Sequence, residues 1–64
     1  MFMDIIGIVN NLWFNGKMSW EDKDKINAYV FKNADNDQLM EKLYKKLSYY
    51  QDNMDLIPKN GIKY

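Results

Sequence analysis

Sixty-four residues without a cysteine or a histidine make one small domain. No disulfide or thiolate metal site can brace it, and no imidazole can serve a triad or a metal centre. Nine lysines balance nine acidic groups with no arginine, and that neutrality argues against bulk nucleic acid or an anionic membrane as the natural partner.

Stability must then come from packing. A chain this short buries only about 60% of its unfolded surface, so the 47% hydrophobic and 16% aromatic content has to supply the compensation. No apolar run reaches the roughly 18–20 residues that span a bilayer. The first residues lack the basic n-region and small-residue cleavage site of a signal peptide. Cytoplasmic location is the expectation. Arginine-free, asparagine-rich usage suits an AT-rich genome and would fit an accessory protein of a phage or mobile element.

Residues 2–15 read as the first helix. Phe2, Ile5, Val9, Leu12 and Trp13 fall on one side, Ile6 and Ile8 lie at its margins, and Phe14 falls outside. The β-branched run from Ile5 to Val9 would also suit a strand, but the apolar pattern continues at helical spacing and no second strand candidate exists to pair with it. Asn15-Gly16 is the stop, because glycine enters the left-handed region without steric cost.

After a short connection through Lys17 and Met18, Ser19 caps a second helix over residues 20–33. Glu21 and Asp22 oppose the positive end of its dipole, and Asp22 stands as a short-armed capping-box partner. Ile26, Tyr29 and Val30 form one apolar side. Trp20 and Phe31 lie along another, with Asp24 and Asn27 between them. A short helix with aromatics on two sides is either sandwiched or bridges a core and an interface.

Asp35 or Asn36 caps the third helix, residues 37–53. Met40, Leu43, Leu47, Tyr50 and then Met54 recur at three- and four-residue steps, widened by Leu39 and Tyr44, and this stripe is the expected organiser of the fold. Pro58 bars a longer helix and Asn60-Gly61 marks a turn. The tail, residues 54–64, carries Leu56, Ile57, Ile62 and Tyr64, enough apolar surface to fold back over the bundle, although a frayed end is an equal expectation. The expected fold is an all-α three-helix bundle with a short C-terminal tail.

Catalytic chemistry finds few carriers. Ser19 and Ser48 lack a nucleophile-elbow setting, and three scattered glycines build no phosphate loop. Asp22 and Asp24 alternate as oxygen ligands do. Asn33, Asp35 and Asp37 match the first, third and fifth positions of a calcium loop, but Gln38 then stands where glycine is required and Tyr44 where the bidentate glutamate belongs. No enzyme activity, metal or cofactor is expected.

Two binding readings remain. Helices two and three could form a helix-turn-helix, with Lys42, Lys45, Lys46 and Tyr49 toward a groove. Against this stand the absence of arginine for guanine reading and the acidic start of the candidate recognition helix. The other reading is protein recognition. Phe14, Trp20, Phe31 and Tyr49 project away from the main faces of their helices, and such aromatics are enriched at interface hot spots. With Asp24 and Asn27 beside them, they would let the chain act as a homodimer or as a regulator, adaptor or inhibitor of a larger protein.

Overall fold

The computed structural model describes residues 2–64. Among these it has three α-helices, α1 (Phe2–Phe14), α2 (Trp20–Lys32) and α3 (Asp37–Asp52), followed by a single 3-10 turn at Met54–Leu56 and no strand. The fold is the all-α bundle that the periodicity predicts. Each helix runs one residue shorter than expected, and the residue just beyond each is an asparagine with one shared role. Asn15 donates its side-chain amide to the Asn11 carbonyl at 2.7 Å, Asn33 to Tyr29 at 2.9 Å and Asn53 to Tyr49 at 2.9 Å. The last carbonyls of a helix have no partner within it, and these side chains supply one four residues back.

The helix starts are as local as the ends. Ser19 Oγ accepts from the Asp22 amide at 3.1 Å, and Asn36, rather than Asp35, accepts from the Leu39 amide at 3.2 Å. At the end of α1, Gly16 has φ +73. The Gly16 amide reaches Trp13 O at 3.0 Å and the Lys17 amide reaches Leu12 O at 2.9 Å. That pair of bonds is a Schellman closure with glycine at the left-handed position.

The core joins Ile5, Ile8, Val9 and Leu12 of α1 to Ile26 and Val30 of α2 and to Met40, Leu43 and Leu47 of α3. Among the described residues no polar or charged one is buried with them. Burying each of these side chains contributes about 1.5–3 kcal/mol relative to exposure. Two expectations for α1 change. Ile8 is core rather than margin, and Trp13, read as part of the buried stripe, is 43% exposed. Leu12 occupies the inward position next to it, and the indole, at the edge of the stripe, comes to lie over the neighbouring helix.

The expected organiser changes too. The α3 stripe is buried as predicted through Leu47, with Tyr50 and Met54 half-buried, but α1 is the central element. It packs against both α2 and α3, whereas α2 and α3 hardly approach each other. The most apolar helix sits in the middle, because only a helix with a broad apolar face can serve two neighbours at once.

The gap between α2 and α3 is covered by the tail, which folds back instead of fraying. Gly61, at φ +94, turns the chain so closely under α2 that a Cβ there would lie 2.8 Å from Asp22 Oδ2. Asp22 therefore faces the tail and makes no reciprocal capping-box bond among the described residues. Ile62 is then buried in the core, the Lys46 ammonium donates to the Lys63 carbonyl, and Tyr64 meets Tyr29 edge to face with ring centroids 5.1 Å apart. Leu56, read as part of this cover, stays exposed, while Met18 of the first connection is buried. Both follow from where the turns aim the backbone.

Candidate functional site

The aromatics that the core does not use gather along the seam between α1 and α2. The two helices run antiparallel there. Phe2 meets Phe31 edge to face at 5.1 Å at one end, and the Lys23 ammonium stands 4.6 Å over the Trp13 ring at the other. Phe31 is 65% exposed and Trp20 63% exposed, and their spacing of eleven residues, close to three full turns, puts them on one side of α2. Along α1, Met3 and Phe14 share an outer strip by the same spacing, and Phe14, 83% exposed, is the most open aromatic of the chain. Ile6 lies half-buried between the two ends.

Asn27 sits on the Trp20–Phe31 side, and its Oδ1 is buried without a hydrogen-bond partner. An amide oxygen left unpaired in this way costs about 1–3 kcal/mol. Asp24 beside it is exposed. Of the residues singled out from sequence, Trp20, Phe31, Asn27 and Asp24 thus lie on one side of α2, and Phe14 lies apart from them on the outer strip of α1. Tyr49 does not join them. It lies on α3, 53% exposed, with its ring 5.5 Å from that of Tyr50.

Phe2 and Trp13 complete the seam and were not singled out. One signal was present in the sequence: Phe2 and Trp13 stand eleven residues apart with Ile6 between them, which puts the three on one strip at the margin of the α1 core face.

The lysines proposed for nucleic acid divide among different tasks. Lys45 pairs with Glu41 at 3.2 Å across one helical turn. Lys42 and Lys46 flank a cleft on the α2/α3 side. The two helices of the suggested helix-turn-helix do not pack on each other as a unit. Of the residues with calcium-loop spacing, Asn33 closes α2 with its side chain, while Asp35 and Asp37 are exposed. Among the described residues no group of three or more acidic side chains converges as a metal site, and no helix is long and apolar enough to cross a membrane. Compared with known proteins, the chain matches no family model, no curated sequence and no solved structure.

Proposed function

We propose that this protein acts by binding another protein through the α1/α2 seam, as a regulator, adaptor or inhibitor that does no chemistry itself. The observation that carries the reading is the exposed aromatic surface of these two helices: Trp20 and Phe31 on one side of α2 and Trp13 at the seam, with Phe14 open on the outer strip of α1, all outside a core that is complete without them. Monomeric proteins scatter exposed apolar residues singly, whereas contiguous ones mark interaction sites. Trp and Phe offer large, stiff surfaces that lose little side-chain entropy on docking, and lysines and aspartates such as Asp24 at the rim set orientation. A second copy of the chain is one occupant of this kind and a larger protein is the other.

A nucleic-acid role draws less support. Its lysines share one exposed face of α3, but Lys45 is paired with Glu41 and Lys46 is bonded to the tail.

The test is site-specific photo-crosslinking in cells of the source, with the reactive group placed at position 20, 31 or 45. Crosslinks to one protein from positions 20 and 31, absent from position 45 and competed by unlabelled chain but not by its Trp20→Ala/Phe31→Ala variant, support the reading. Equal labelling from all three positions would sink it. Light scattering over the micromolar range separates the two occupants: a mass that doubles with concentration identifies the second copy.

A further inference from the structure

The opposite side of α2 faces a different environment. Where α2 and α3 diverge, the folded-back tail leaves a cleft of about 310 Å³. Its floor is apolar: Leu43 is buried, and Leu39 and Tyr29 are half-buried. Its rim carries Lys42, Lys46 and Lys63, all exposed, and no acidic side chain lines it. On the same helix Lys45, outside the cleft, is paired with Glu41. Here three cations meet with no acidic partner within bonding distance among the described residues.

Their position is not left to chance. The Lys46 ammonium is held at the mouth by its bond to the Lys63 carbonyl, and an ammonium with three donors keeps two for another acceptor. The Tyr64 ring, set against Tyr29, forms one wall. A volume near 300 Å³ is the lower end of small-molecule sites, where an apolar lining with a few convergent polar groups fixes the ligand. Apolar floor and cationic rim together select a molecule with an apolar body and one anionic end.

We propose that this cleft binds a small organic anion, a phosphate or carboxylate carried on an aryl or short alkyl group, with the apolar body on Leu39, Leu43 and Tyr29 and the anionic oxygens among Lys42, Lys46 and Lys63. The site is separate from the seam, so its fate is independent of the protein-binding reading.

The experiment is a titration of the full chain, labelled with nitrogen-15, followed by amide chemical shifts. Phenyl phosphate and phenylacetate are the two anionic probes, which distinguish phosphate from carboxylate as the preferred end. Benzyl alcohol supplies the body without the charge, and inorganic phosphate the charge without the body. Saturable shifts confined to residues around the cleft, with at least one aryl anion binding more tightly than either control, are expected. Binding should weaken as salt rises, since exposed charges are screened over about 10 Å at 0.1 M. In the Lys42→Gln/Lys46→Gln variant the preferred anion should bind about tenfold more weakly, the sum of two exposed ion pairs of modest strength. Because Lys46→Gln also frees the tail, Lys42→Gln alone serves as the second variant: it touches only the rim and should lower affinity about threefold with helicity unchanged.

Three outcomes overturn the proposal. Shifts of equal size at Lys17, Lys25 and Lys59 would show nonspecific ion pairing. Affinity unchanged in Lys42→Gln would remove the lysine rim from the site. Tighter binding by an eight-residue oligothymidylate than by either aryl anion, with shifts spreading along α3, would assign the surface to a nucleic-acid backbone.

Discussion

The two sides of α2 meet the same difficulty and resolve it differently. Toward α3, the divergence of the helices would expose Ile26, Val30 and Leu43, and the chain covers them with its own tail, Ile62 inward and Tyr64 over Tyr29. Toward the outer face of α1, Trp20, Phe31 and Phe14 are left open. A chain that places Gly61 against Asp22 to bury one isoleucine has turn chemistry available for closing gaps. The seam stays open while the core between α2 and α3 is covered, and under the proposed function that exposure serves a partner. The difference also separates stability from binding, because residues on the covered side should govern folding and those on the seam recognition.

The largest effect should come from the element both sides share. Leu12 is fully buried in α1, and Leu12→Ala should cost about 3 kcal/mol. In a domain this small that removes much of the total stability, so both regions should melt together in a urea titration followed by circular dichroism. Loss confined to one helix would show that α1 is not central.

Next comes the lid. Gly61→Ala forces a side chain into a backbone conformation, φ +94, that L-residues avoid, and makes the Asp22 carboxylate turn aside from the new Cβ. A destabilisation of about 2 kcal/mol is expected. Gly7 is the control: it is exposed within α1 with open space around it, and Gly7→Ala should stabilise by about 0.5–1 kcal/mol. If both substitutions act alike, the tail turn is not what holds Ile62 in place.

The seam should respond in the reverse sense. Phe31→Ala removes an exposed ring and one edge-to-face contact with Phe2, worth about 1 kcal/mol of stability, yet it should abolish crosslinking to a partner. A large loss of helicity instead would make Phe31 a core residue and return the seam to ordinary packing.

How much of this was legible beforehand follows from distance along the chain. Ser19, Gly16 and Asn36 could be read because capping bonds span three to five residues. The α1, α2 and α3 stripes could be read because periodicity is local. The central place of α1 could not, since an apolar arc reports how much surface a helix must bury but not which neighbours bury it. The tail's return was undecidable for the same reason: it depends on Gly61 approaching Asp22, thirty-nine positions away. The lysine-rimmed cleft assembles Tyr29, Lys42, Lys46 and Lys63 from three segments. On the seam, Phe14, Trp20 and Phe31 were visible as misfits to their own helix faces, while Trp13 was hidden because its spacing matches the core.

Trp13 offers the finest separation of the two sides. Its exposure and the Lys23 ammonium 4.6 Å above its ring place it at the margin between folding and recognition. A cation over an exposed indole contributes about 0.5–1 kcal/mol, so Lys23→Gln should lower stability by no more than that. Lys45→Gln, which breaks an exposed pair within α3, should be close to silent. The two lysines differ in a second readout: removing Lys23 changes the field on the indole and should alter tryptophan emission, whereas removing Lys45 should leave emission unchanged. If Lys23→Gln also weakens partner capture without further loss of stability, the ammonium is holding the Trp13 ring in the pose the partner meets. If capture is untouched while Trp13→Ala still abolishes it, the ring contributes surface alone and the seam's geometry is set by α1 itself.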